Sequence, residues 1–200
     1  MDTRTRLILS AMKLFAEKGY GSTSVQDILR EAGANAGSLY HVFATKQDLL
    51  VAVLEAYRDG IEPMLLAPAW QGVEDPIERV FALLAAYRGM LAQTDCLYGC
   101  PIGSLALELH EADPVVRELL AVNFANWAGA IERCLKAAGD RLPADLDRRA
   151  LAEFVLTTME GGVMQARTHR DVGYFDRGVA ALRDHFDMLQ VRAARQSEPA

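Results

Sequence analysis

From Leu7 to Leu189 the apolar residues return at steps of three and four, and no stretch alternates apolar with polar as a half-buried strand would. The chain is therefore expected to be all-α, and its glycines and prolines divide it. Leu7, Ala11, Leu14 and Phe15 share one stripe of a first helix that stops near Gly19 and Gly21. Ser24 and Asp27 have the spacing of an N-cap pair, after which Val25, Ile28, Leu29 and Ala32 repeat helically up to Gly33. Leu39 and Phe43 form the inner face of a brief third helix. Thr45 and Asp48 signal the cap of a fourth, which carries Leu49, Leu50, Val53, Leu54 and Tyr57. Pro63, Pro68, Gly72 and Pro76 crowd a stretch in which helix is expected to break. The boundary is placed there, giving a compact head at 1–60 and a larger helical domain at 61–200. Helical patterns resume at 77–93, 101–111, 114–138, 146–169 and 174–194.

Composition narrows the classes. With 51% hydrophobic and 24% charged residues the chain can bury a core, which excludes fibrous and disordered readings. It has no run of eighteen apolar residues and no cleavable leader pattern, and its three cysteines do not make a disulfide framework. A cytoplasmic protein without a membrane partner is expected. The net charge of −6 argues against a polyanion partner only if it is evenly spread. It is not: residues 1–47 hold six basic against four acidic side chains, and the remainder holds 15 against 23.

That weakly basic head contains the most informative segment, two short helices separated by Gly33. A DNA-binding helix-turn-helix needs a buttress helix, a tight turn, and a second helix whose outer face enters the major groove. With Leu39 and Phe43 turned inward, Asn35, Ala36, Gly37, Ser38, Tyr40, His41 and Val42 are left to face out. Small residues at the front let backbone N–H groups approach phosphates, and Tyr40, His41 and Lys46 add hydrogen bonds and a cation. Arg4 and Arg6 are either phosphate contacts or plain solvated charges. The same cap–helix–Gly–helix pattern also suits a non-catalytic helical module that binds a protein partner.

The order of residues separates these readings. Thr23-Ser24-Val25, Asp27-Ile28, Ala32-Gly33, Gly37-Ser38-Leu39-Tyr40, Phe43 and Lys46 closely resemble the DNA-binding head of the TetR family of bacterial transcription regulators, and the resemblance spans residues 4–60. It implies a homodimer with two such three-helix heads, repressing transcription until a small molecule binds the larger domain. It also implies that Thr23 and Ser24 contact the DNA backbone, that Tyr40 and Lys46 hold phosphates, and that Asn35, Ala36, Gly37, Ser38 and His41 face the groove. Asn35, Ala36 and Val42 depart from residues common in the family, which leaves base choice open.

Beyond the head the sequence offers candidates. Val179, Leu182, Phe186 and Leu189 on one helix, and Leu151, Val155, Thr158 and Gly162 on another, suit either a dimer seam or the chain's own core by their period, and the resemblance implies the seam, a four-helix contact between subunits. Phe81, Tyr87, Met90, Phe124, Trp127 and Met159, with polar His110, Asn123 and Gln165, are the pocket candidates, and core packing is the competing reading. Cys100 precedes Pro101 at an expected helix N-terminus, so Cys96 and Cys100 form either a redox- or electrophile-sensitive pair or two small buried hydrophobes. Neither a metal site nor a cofactor is expected. No dinucleotide, P-loop, zinc-protease or nucleophile-elbow motif occurs, so an enzyme is not expected either.

Overall fold

A computed structural model describes residues 1–197, with Ser38 described by its backbone alone. The described chain is helical throughout: α1 (Thr3–Lys18), α2 (Val25–Ala32), α3 (Ala36–Val42), α4 (Lys46–Ile61), α5 (Ala67–Trp70), α6 (Pro76–Gln93), α7 (Pro101–Glu108), α8 (Pro114–Ala137), α9 (Arg148–His169) and α10 (Gly173–Ser197). The all-α expectation holds. It divides into two units, Met1–Gly60 with Tyr98–Phe124, and Ile61–Leu97 with Ala125–Ala200. The boundary expected after residue 60 is thus crossed twice more, because the segment holding α7 and the start of α8 returns to pack with the head.

In the first unit the caps read from the sequence are formed. Ser24 Oγ accepts from the Asp27 N–H at 3.1 Å while the Asp27 carboxylate accepts from the Ser24 N–H at 3.1 Å. Thr45 and Asp48 make the same reciprocal pair ahead of α4. Each pair satisfies two of the donors that a helix start leaves orphaned. Gly33 ends α2 at φ 58°, the left-handed conformation that an L side chain resists, and this turn swings α3 away from α2. Leu7, Ile28, Leu39, Leu49, Leu50 and Leu54 are fully enclosed around it.

The break expected at the proline-rich stretch does not occur at its start. The backbone stays helical from Lys46 to Trp70 by opening into a π-turn at Glu62–Leu66, where the Ala67 N–H reaches back five residues to the Glu62 carbonyl. Pro63 has no N–H and its ring crowds the preceding turn; the wider turn accommodates both defects.

The second unit is built on the hairpin of α9 and α10, packed with α6. Phe81 of α6 meets Phe186 of α10 edge to face at 5.2 Å, and the Arg183 guanidinium lies 3.3 Å from the centre of the Phe81 ring. Arg183 holds both oxygens of Glu78, and Arg88 holds both oxygens of Asp176, tying α10 to α6 at two levels. At the α9–α10 crossing a β-carbon on Gly162 would stand 3.0 Å from the Phe175 ring, so a larger residue would push the helices apart.

All three non-glycine residues with positive φ among the described residues, Asp95, Cys96 and Arg170, fall at one corner of this unit. Arg170 Nη1 donates to the Cys96 carbonyl at 3.0 Å. The turn that leads out of α6 toward α7 is therefore wound against its intrinsic preference and pinned by the end of α9.

Candidate nucleic-acid interface

The outer face of α3 is the place where polar side chains stand out over a rigid support. Leu39 and Phe43 are buried beneath it, while Asn35, Ala36, Gly37, Tyr40 and His41 are exposed, Tyr40 to 60%. An exposed tyrosine of this size on a seven-residue helix fills no core, and its hydroxyl is offered to solvent. The side chain of Ser38 lies outside the described residues. Arg4 is exposed, with its guanidinium 5.4 Å from the centre of the Phe43 ring, at the edge of the same surface. Arg6 is half-buried. Its Nη2 donates to Thr3 Oγ1 at 3.4 Å and its Nε is buried without a hydrogen-bond partner among the described residues, so it is less available than Arg4.

Two of the residues assigned to backbone contact have internal work instead. Thr23 is only 1% exposed, and its hydroxyl faces the carbonyls of Gly19 at 2.7 Å and Leu14 at 3.2 Å. That corrects its expected contact with DNA: Thr23 is an interior residue that satisfies the carbonyl end of α1. The Ser24 hydroxyl is exposed but donates to Asp27 at 2.7 Å, and this bond holds the Asp27 carboxyl below its ordinary range. A phosphate, which only accepts, would have to take that proton from Asp27.

Lys46 is also engaged. Its ammonium donates to the Tyr20 carbonyl and sits 4.1 Å from the centre of the Tyr20 ring. Partial burial lowers the Lys46 pKa, and the nearby Glu108 charge opposes that shift. An ammonium has three protons, so this bond leaves capacity for a phosphate.

Glu108 was invisible to sequence reasoning. From the last turn of α7 its carboxylate reaches the loop between α1 and α2, where Oε2 accepts from the Tyr20 N–H at 2.8 Å and Oε1 from the Gly21 N–H at 2.6 Å. Eighty-seven residues separate Glu108 from Gly21, and no spacing rule links them.

The remaining candidates scatter. Leu151, Val155, Leu182, Phe186 and Leu189 are buried within the single chain, so the expected dimer seam is corrected to the chain's own core. Gly162 lies against Phe175, and Thr158 and Val179 are half-buried. The apolar side chains that α9 and α10 leave exposed are Phe154, Met164, Met188 and Val191. Among the pocket candidates, Tyr87 and Trp127 come together edge to face at 6.4 Å, and the buried Trp127 N–H has no hydrogen-bond partner among the described residues. Phe81 and Met159 are core residues, whereas Met90, His110 and Gln165 are exposed and Phe124 is half-buried. Asn123 is corrected from pocket lining to structural tie, because its Nδ2 donates to the carbonyls of Leu119 at 2.8 Å and Leu54 at 3.1 Å. Cys96, Cys100 and Cys134 are all buried outside any disulfide, and burial raises the pKa of Cys96 and of Cys134. The expected cap is present at Cys100, whose sulfur faces the Gly103 N–H at 3.5 Å.

Comparison with known proteins agrees with this geometry. The family model for bacterial regulatory proteins of the tetR family matches residues 7–53, and that for the tetracyclin repressor-like C-terminal domain matches residues 76–182. An uncharacterised HTH-type transcriptional regulator of Mycobacterium tuberculosis is 32% identical over 178 residues, covering 86% of this chain and 88% of its own. The HTH-type transcriptional repressor DhaR of a Mycobacterium species is 25% identical over 170 residues, 84% of each chain. The crystal structure of regulatory protein TetR from Rhodobacter sphaeroides superposes with a TM-score of 0.82 at 27% identity, over 90% of this chain and 97% of that one. With both of its parts matched and an exposed α3 supported from beneath, the chain belongs to the TetR family of transcriptional regulators, whose helix-turn-helix head binds DNA.

Proposed function

We propose that this protein is a homodimeric repressor that leaves its operator when a small molecule binds the helical domain at 61–200. The observation that carries the reading is the row of exposed Asn35, Ala36, Gly37, Tyr40 and His41 on α3, held up by buried Leu39 and Phe43. A helix presented this way reads base edges with its N-terminal residues and holds phosphates with its flanks. Asn35, Ala36, Gly37 and His41 face the groove, while Tyr40, Lys46 and Arg4 reach phosphates and Ser24 contributes if Asp27 releases it. The relative named as a repressor supports the sign of regulation. Exposed Phe154, Met164, Met188 and Val191 support a second copy as partner for α9 and α10, because large apolar groups left in water favour burial. The buried Trp127 N–H beside Tyr87, without a hydrogen-bond partner among the described residues, supports an effector with an apolar body and one hydrogen-bond acceptor.

The test is binding of the purified protein to duplex DNA from immediately upstream of its coding region, across a salt series, beside Tyr40→Phe and Lys46→Ala. Affinity should fall steeply with salt, since each neutralised phosphate releases counterions, and both substitutions should weaken it. Binding no tighter than to random duplex, and unaffected by either change, would favour a protein partner for α3.

A further inference from the structure

Nothing in the helix-turn-helix role requires Glu108, yet with Asn123 it is a residue through which the later part of the chain holds the head. Its carboxylate bridges two consecutive backbone N–H groups, Tyr20 and Gly21, in the loop that leads into α2. The loop is shaped to receive it. A β-carbon at Gly19 would stand 2.9 Å from Oε2, and one at Gly21 would stand 3.1 Å from Oε1, so the oxygens occupy the space that any larger residue would fill. The same short loop carries the Tyr20 carbonyl that holds Lys46 and the Gly19 carbonyl that holds Thr23. One carboxylate therefore fixes the segment from which the start of α2 and the ammonium beside α3 both take their positions. It is delivered by α7, in the segment Tyr98–Phe124, which joins the second unit at both ends, at Leu97 and at Ala125.

We propose that Glu108 is the positioning residue that couples the Tyr98–Phe124 segment to DNA binding by holding the Gly19–Gly21 loop, so that a shift of α7 is felt at the DNA-reading surface. The proposal rests on the DNA-binding reading of the head. Two substitutions separate position from charge. Glu108→Asp keeps the charge but withdraws the carboxylate by one methylene, out of reach of both amides. Glu108→Gln keeps the reach and one good acceptor but loses the charge. The purified full-length proteins are compared on upstream and random duplexes at two salt concentrations, with thermal unfolding measured alongside. The amide protons of Tyr20 and Gly21 are compared by NMR in the wild type and both variants.

Glu108→Asp should weaken binding about fivefold or more, at the lower end of typical coupling between sites, with an unchanged salt slope. Glu108→Gln should weaken it less. The two amide protons should lie downfield in the wild type and move upfield in Glu108→Asp, which withdraws their acceptor. Tighter binding by Glu108→Gln with no change in Glu108→Asp would show that the residue acts only as a local charge and would overturn the proposal. So would a lowered melting temperature with unchanged affinity, which is the mark of a merely structural contact. If the wild type itself fails on both duplexes, the DNA reading falls and the proposal with it. If the wild type binds and Glu108→Asp binds equally, the proposal falls alone.

Discussion

Two glycines at the crossing of α9 and α10 should respond unequally to alanine. Gly162 and Gly178 are both helix-interior residues, so alanine at either gains about 0.8–1.0 kcal/mol of intrinsic helix propensity. At Gly178 the new methyl would meet Thr158 Cγ2 at 3.6 Å, an ordinary contact, and the full gain should appear. At Gly162 it would stand 3.0 Å from Cδ2 of Phe175 and 3.4 Å from its α-carbon. Phe175 is 1% exposed, so its ring has nowhere to go, and overpacking of this kind costs about 1–3 kcal/mol. Gly178→Ala should then be stabilised by about 1 kcal/mol, while Gly162→Ala should range from neutral to about 2 kcal/mol destabilised. For a chain of this length 1 kcal/mol moves the melting temperature by about 2–4 °C. The assay is thermal and urea unfolding by far-ultraviolet circular dichroism at one fixed protein concentration, since assembly would otherwise shift the midpoint. If Gly162→Ala proves as stable as Gly178→Ala, the close approach at Phe175 does not constrain the helix pair and the steric reasoning is wrong.

Thr23→Val replaces the inward hydroxyl by a methyl of nearly the same shape and leaves two carbonyls at the end of α1 without that donor, so unfolding should become easier by about 1–2 kcal/mol, while Thr23→Ser should retain most of the stability. A Thr23→Val protein that melts like the wild type would return this residue to the DNA-facing set. The Asp27 carboxyl is held below its ordinary value by the Ser24 hydroxyl, so its contribution is present above the unfolded carboxylate range near pH 4 and fades as pH falls through the lower folded value. The difference in melting temperature between wild type and Ser24→Ala should accordingly shrink from pH 6 to pH 2. A difference that grows in acid would contradict the cap geometry.

Much of the head was legible because its determinants are local. Caps at Ser24 and Thr45, the left-handed turn at Gly33 and the inward pair Leu39 and Phe43 each depend on neighbours within four residues, the range over which sequence patterns carry physical meaning. Thr23 was misread because a hydroxyl beside a cap residue carries no sign of which way it points; the buried end of α1 decides that. Leu151, Val155, Leu182, Phe186 and Leu189 have a period that fits two partners equally, and only the presence of α6 shows that the near one takes them. The π-turn at Glu62–Leu66 escaped because a proline warns of a lost hydrogen bond but does not say whether the helix breaks or widens. Glu108 and Asn123 lay beyond any local rule, since each acts on backbone more than sixty residues away.

The return of Tyr98–Phe124 to the head also orders events at the ribosome. When residue 60 has been made, the α1–α2 loop lacks its carboxylate and the Leu54 carbonyl lacks the Asn123 amide. Sixty-three further residues must follow before both are in hand, roughly 3–13 s at ordinary elongation rates. Through that interval the nascent head holds its local caps but not its last tethers, and the apolar face of α6 emerges before the α10 side chains that cover Phe81. A helix-turn-helix that is readable almost residue by residue has its last tethers only when the chain has grown to twice the head's own length.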